Sequence, residues 1–186
     1  CYVVTDADAV DCDELHALLA ELDALPGVRG YVTRTFCEQA RYFQPANGQR
    51  IDAIRDRLVG LVDHPLYPVL LTALIEAADR VDSTTGQHMA YLKEWARRAS
   101  NPLRLRRPVL LAGSGAAIRG DARELVKQLP KVDVMYLDPP YNQHRYFTNY
   151  HIWETLVRWD APEHYGVACK RADARTAQHL SAFNSR

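Results

Sequence analysis

Asp138, Pro139, Pro140 and Tyr141 stand together directly after the apolar run Val132-Asp133-Val134-Met135-Tyr136-Leu137. That run is rich in β-branched and apolar side chains and predicts a buried strand. The two prolines end it, because each lacks a backbone N–H and Pro140 bars Pro139 from the helical region. A carboxylate, rigid carbonyls and a phenol ring therefore meet at the carboxyl end of a strand, the edge where open α/β sheets bind ligands. The set suits a planar amine. An exocyclic amine on a nucleobase is a poor nucleophile, since its lone pair is delocalised into the ring. Holding both amine hydrogens turns that lone pair toward a methyl donor. Asp138 can accept one hydrogen and the Pro139 carbonyl the other. Tyr141 can stack on the base, a contact worth about 1–3 kcal/mol in single-strand binders. Positioning and aimed dipoles do this work, and no metal is needed. The bland alternative is a strand-ending turn with a surface tyrosine. Against it stands the loop Asn142-Gln143-His144-Arg145-Tyr146-Phe147-Thr148-Asn149-Tyr150-His151, crowded with amides, aromatics and bases.

Several elements must position this cluster. Leu15, Leu18, Leu19, Leu22 and Leu25 share one face of a helix over residues 13–25, capped by Asp11 or Asp13 and stopped by Pro26-Gly27. That face is expected to pack on a sheet. Residues 28–49 show no clear period and read as an irregular loop. Three helical patterns follow: Ile51, Ile54, Leu58, Leu61; then Leu66, Val69, Leu70, Ala73, Leu74, Ala77; then Met89, Leu92, Trp95, Ala96. After Pro108 the pattern changes to short strands at residues 109–111, 116–118 and 132–137, with a helix over 121–129. Residues 149–159 read as a helix with Trp153, Leu156 and Val157 inward.

Three motifs in order carry a resemblance. Gly120-Asp121, Asp138-Pro139-Pro140-Tyr141 and Phe147-Thr148-Asn149-Tyr150-His151 resemble the pattern of N6-adenine-specific DNA methyltransferases of the Dam-like class. The resemblance implies an α/β chain: a partial Rossmann-like, S-adenosylmethionine-dependent methyltransferase core with a helical insertion. It implies S-adenosylmethionine as cofactor, double-stranded DNA as partner and a flipped adenine as methyl acceptor. Asp138 and the Pro139 carbonyl would hold the amine, with Pro140 locking the turn and Tyr141 stacking on the base. Asp121 would lie near the adenine end of the cofactor, where Asp138 also belongs, although Asp121 reads equally as the cap of its helix. Residues 1–26 would be a core helix remnant, residues 27–107 the target-recognition insert and residues 108–186 the catalytic segment. The family's Phe-x-Gly-x-Gly cofactor loop has no counterpart here. Gly113-Ser114-Gly115 comes too close to Gly120-Asp121 for the helix that should follow such a loop. A fragment of a longer methyltransferase is therefore expected.

At 186 residues the chain has room for one domain, or one domain with an insertion. Its hydrophobic content of 47% and charged content of 25% fit an ordinary globular protein. Net charge is zero, so distribution carries the information. Seven acids and no Lys or Arg fall in residues 1–28, whereas five arginines and no acid fall in residues 97–107. Arg104, Arg106 and Arg107 lie beyond Pro102 and are candidates for the DNA backbone. Arg97 and Arg98 read equally as a solvated helix end. Tyr146, Phe147, Asn149, Tyr150 and His151 are candidates for gripping the extruded nucleotide. Arg41-Tyr42-Phe43-Gln44 with Asn47 reads either as a base-contacting loop or as buried aromatics. Asp79, Arg80, Asp82 and Ser83 read as a polar connection, with base contacts as the alternative.

Four scattered cysteines, without Cys-x-x-Cys spacing, argue against a zinc ribbon or a disulfide scaffold, and no metal site is expected. No apolar run has membrane-spanning length. A monomeric cytoplasmic protein is the expectation, with a restriction endonuclease among its partners; restriction, mismatch repair and gene control stay open as the role. An RNA or protein N-methyltransferase, and a catalytically inert DNA-binding fragment, are the rival readings.

Overall fold

The computed structural model describes residues 6–113, 115–139, 145–176 and 183. Helix α1 (Cys12–Ala24) begins where the Asp11 carboxylate accepts the N–H groups of Asp13 and Glu14, both at 3.0 Å. Its buried face, Leu15, Leu19 and Leu22, has the expected spacing. That face packs on helix α2 (Pro45–Val59) rather than on a sheet. The reason is that no sheet forms beside it among the described residues.

Residues 28–49, expected as a loop, are instead largely helical. The chain coils from Tyr31, and Thr33–Gln39 takes π geometry. A π turn is wider than an α turn, which erases the 3.6-residue period. Helix α2 starts at Pro45, which is preset for a first helical turn. Its polar opening residues Asn47 and Gly48 are nonetheless buried, so hydropathy alone misses that turn. The two helices lock through Asp52. Its buried carboxylate accepts the N–H groups of Gly30 (2.9 Å), Val32 (2.8 Å) and Thr33 (2.8 Å) and the Thr33 hydroxyl (2.6 Å). A Cβ at position 30 would come within 2.6 Å of that carboxylate, so Gly30 is required by contact.

Helix α3 (Tyr67–Asp79) buries Val69, Leu70, Ala73, Leu74 and Ala77, much as its period predicts, and packs on α2. The third expected helix, through Met89, Leu92 and Trp95, does not form. Ser83 captures the N–H groups it would need: its carbonyl accepts from Leu92 (2.9 Å) and its hydroxyl from Ala96 (3.0 Å). The guanidinium of Arg98 clasps the buried Asp82 carboxylate and also reaches the Thr84 carbonyl (2.9 Å). Only a short 3-10 turn, Arg97–Ser100, remains.

The segments expected as strands depart most. Residues 109–111 and 132–137 carry no regular structure, and residues 116–118 hold a lone bridge residue at Ala117. Val109 (87% exposed) and Tyr136 (86% exposed) face outward. A strand needs a continuously paired backbone, and among the described residues these segments show only isolated contacts such as the Ala7 N–H donating to the Leu111 carbonyl at 3.2 Å. The helix expected over 121–129 is shorter, α4 (Ala122–Leu125), and continues as turns to Leu129. Helix α5 (Tyr146–Asn149) and helix α6 (His151–Arg158) follow. Ile152 and Leu156 are buried on α6 and Trp153 packs against the core, whereas Val157 faces solvent. An antiparallel pair, β1 (His164–Tyr165) and β2 (Lys170–Arg171), is the sheet among the described residues, with His164 opposite Arg171.

One hydrophobic cluster joins α1, the π segment, α2, α3 and α6. Arg55 of α2 reaches across it and donates to the Leu156 (2.7 Å) and Val157 (3.2 Å) carbonyls, satisfying the end of α6. At the other end of α6, the His151 Nε2–H donates to the His88 carbonyl (3.0 Å), which also accepts from the Tyr42 hydroxyl (2.9 Å). The His151 ring meets Phe36 and Tyr42 edge-on, and its Nδ1 is buried without a partner among the described residues.

Replacing Asp52 by Ala leaves three inward N–H groups without their acceptor and is expected to destabilise the chain by about 3–5 kcal/mol. Urea denaturation followed by circular dichroism measures this. The His151 imidazole, pushed down to about 3 by burial with His88 beside it, stays neutral in the fold. The unfolded chain takes up that proton below about 6.5, so stability is full above that pH and is lost as pH falls toward 3. The slope is up to about 1.4 kcal/mol per pH unit. Denaturation midpoints for the chain and for His151→Gln should converge as the pH is lowered through this window.

Candidate active site

Asp138 is exposed and Pro139 half-buried at the end of the irregular segment that follows α4. Pro140 and Tyr141 lie outside the described residues. Asp121 caps α4, accepting the Arg123 N–H at 3.0 Å, and the Arg123 guanidinium clasps the same carboxylate at 2.7 Å. These bonds hold its carboxyl down at about 2, so it is an anion across the physiological range. Its cap reading is thus directly visible.

The five candidates after the turn divide by depth. Tyr146 is half exposed and stacks on Tyr150, with ring centroids 6.0 Å apart and planes 11° from parallel. Phe147 lies beneath two guanidinium groups, those of Arg158 (5.3 Å) and Arg171 (5.7 Å). Asn149 and His151 are buried. The Asn149 carbonyl accepts the His88 N–H at 2.7 Å, which ties the junction of α5 and α6 to the segment before Met89.

Arg171 organises the far side. It is 2% exposed and forks onto Asp160 (2.8 and 2.6 Å) and Asp173 (3.1 and 2.8 Å). Burial opposes its charge, but the hydrogen bonds it donates to these two carboxylates outweigh that and raise the pKa, so Arg171 remains a cation. Asp173 stands two residues away, but Asp160 comes from the loop before β1, so the burial of Arg171 has no local sequence signal.

The basic stretch resolves residue by residue. Arg104 is exposed, pairs with Asp23 at 3.1 Å, and stands at the rim of a groove of about 730 Å³ that also holds Gln44, Asn47 and Arg50. Arg106 and Arg107 are exposed. Arg98 is committed to Asp82. Asn47 is consumed by backbone: it donates to the Ala99 and Asn101 carbonyls and accepts from the Leu103 N–H. Tyr42 and Phe43 are fully buried, which selects the buried-aromatic reading. Asp82 and Ser83 likewise serve the interior network.

Two residues that sequence reading gave no role, Arg145 and Arg175, face each other across a pocket of about 250 Å³ beside Asn149. Arg145 sits within the loop after the proline pair, which is the one available signal. Arg175 carries none, because its proximity arises from the hairpin's return.

The profile of one family, described as D12 class N6 adenine-specific DNA methyltransferase, matches residues 7–185. The chain is 33% identical over 154 residues to the Type II methyltransferase M.NlaIII of Neisseria lactamica, covering 77% of this chain and 46% of that protein. It is 37% identical over 139 residues to the Type II methyltransferase M.FokI of Planomicrobium okeanokoites, covering 70% and 21%. It is 35% identical over 137 residues to the modification methylase StsI of Streptococcus sanguinis, covering 69% and 21%. The chain thus spans about half the length, or less, of these curated relatives. No solved structure matches it. A profile that runs from before α1 to beyond the hairpin and takes in Asp138 decides the matter of kinship: this chain belongs to the D12 class N6 adenine-specific DNA methyltransferases.

Proposed function

We propose that the protein transfers a methyl group from S-adenosylmethionine to the N6 amine of an adenine turned out of duplex DNA. The observation that supports this most is the exposed carboxylate of Asp138, next to Pro139, within a chain whose family matches along nearly its whole length. Turning the base out costs a few kcal/mol, which stacking and hydrogen bonds in the pocket offset. The Asp138 carboxylate accepts one amine hydrogen and the Pro139 carbonyl the other, leaving the nitrogen lone pair free to face the electrophile. Tyr141 stacks on the base. Alignment of the reacting atoms and the aimed dipoles around the amine supply the rate.

S-adenosylmethionine, when bound, supplies an electrophilic methyl on a cationic sulfur. The chemistry of the two exposed acids fits such a molecule. Asp121 can accept from an adenine amine or a ribose hydroxyl, and Asp138 favours a nearby positive charge. Asp121 would exchange its present bonds to Arg123 for those contacts. We assign residues 27–107 to target recognition and residues 108–186 to the catalytic segment of a Rossmann-like core. Val109, Val134 and Leu137, all exposed, are the side chains that strand pairing in such a core would cover. Arg104, Arg106 and Arg107 would lie against backbone phosphates, with Tyr146, Phe147, Asn149, Tyr150 and His151 framing the target nucleotide directly or by positioning. Two relatives are named modification methylases; we assign this protein a modification role too, with a restriction endonuclease that acts on the same DNA as its partner. Among the described residues no helix is long and apolar enough to cross a membrane.

In the intact protein, Asp138→Ala is expected to lower methylation by at least 100-fold while duplex binding changes less than about threefold. Ordinary adenine methylation by that variant would refute the assignment. Tritiated methyl transfer compared across DNA, RNA and protein substrates should label DNA alone, at adenine. Calorimetric titration of S-adenosylmethionine into the intact protein should give saturable heat, and its absence at millimolar ligand would favour an inert DNA-binding role.

A further inference from the structure

We propose that the pocket between α5 and the β hairpin seats one phosphate of the DNA backbone, held by Arg145 and Arg175. The proposal rests on the DNA-methyltransferase reading above and adds a contact to it. Met89, Arg145, Thr148, Asn149, Tyr165 and Arg175 line the pocket. At about 250 Å³ it is smaller than the roughly 300–1,000 Å³ typical of small-molecule sites, which suits a compact anion better than a base with its sugar.

Charge points to an anion. Three carboxylates of this region, Glu154, Asp160 and Asp173, pair with Arg158 and Arg171. Neither Arg145 nor Arg175 pairs with a carboxylate among the described residues. Both are nevertheless held in place. The Arg175 guanidinium lies 3.7 Å from the centroid of the Tyr165 ring, and Arg145 Nη1 reaches the Ala174 carbonyl at 3.5 Å. Planar guanidinium groups fixed in advance bind phosphate oxygens two at a time with little further loss of freedom.

Asn149 forms the inner wall of the pocket. The residue is 5% exposed, lines the pocket, and its Oδ1 has no hydrogen-bond partner among the described residues. A phosphate only accepts hydrogen bonds and cannot satisfy that oxygen, so Asn149 serves here as pocket wall and the two guanidinium groups supply the binding. Because α5 follows the turn that carries Asp138, the phosphate seated here would be one flanking the target nucleotide.

The test uses Arg145→Gln, Arg175→Gln and the double variant in the intact protein, with Arg→Lys versions as folding controls that keep the charge. Duplex affinity is measured across salt concentrations. Each glutamine variant should lower the slope of log K against log salt by about 0.9, and the double variant by the same amount, since one phosphate is lost in every case. A neutral methylphosphonate linkage walked around the target adenine should weaken the parent protein at one position and leave the glutamine variants indifferent there. Unchanged slopes, or an unchanged methylphosphonate penalty in the variants, would overturn the proposal. So would inorganic phosphate raising the melting temperature of the parent but not of the variants while DNA slopes stay equal, since that describes a free-anion site. A parent protein that binds duplex and methylates adenine while its variants keep their slopes loses only this inference. One that binds no duplex loses the methyltransferase reading as well.

Discussion

Three backbone N–H groups at the start of the π-helical segment, those of Gly30, Val32 and Thr33, converge on a single acceptor, the buried carboxylate of Asp52. The side chain comes from the middle of α2, so one residue fixes where one helix begins and how another lies across it. The aromatic interior follows from this crossing. Phe36 and Tyr42 are carried inward by the π turn and meet the His151 ring from α6 edge-on. Ionised groups in so dry a place are tolerated only with several donors each, and Asp52 has four. Gly30 and Gly48 are the packing consequence, because side chains there would collide with Asp52 and Cys37.

Polar groups, more than hydropathy, set the outline of the rest of the helical body. Ser83 and Asp82 draw the backbone of residues 92–98 away from a helix and into a wrapped loop. His88 serves as a hub: its N–H, its carbonyl and its ring contact Asn149, Tyr42 with His151, and Trp153 respectively. The residues after the proline pair are thereby referenced to the segment around His88 and not only to their neighbours in sequence. Phe147 between two arginines and Arg171 between two aspartates extend the same frame to the hairpin.

The chemistry was legible before the fold. Asp138-Pro139-Pro140-Tyr141 and the two motifs beside it pointed to an adenine amine, and the family profile agrees. Helices α1 and α3 were legible because Leu15, Leu19, Leu22 and Val69, Leu70, Leu74 repeat at the period of an α-helix. The π segment was not, since its wider turn has no repeat that a 3.6-residue template detects. Nor was the failure of a helix around Leu92, which depends on donors being captured by Ser83 from a distance. Residues 132–137 have the composition of a strand, but composition cannot supply the neighbour to which a strand bonds. Arg175 and Arg171 acquire their surroundings only when the hairpin folds back, so neither the approach of Arg175 to Arg145 nor the pairing of Arg171 with Asp160 has a local sequence signal.

Helix α6 is fastened at both ends to the helical body, at its start through the His88 carbonyl and at its finish through Arg55. Trp159, in a left-handed turn at φ 52°, adds a third tether by donating its indole N–H to Asp56. An element pinned at three places cannot swing by itself. The spacing between α2 and the short helix that precedes α6 is therefore a built-in gauge, set by the fold and not by motion of α6 alone.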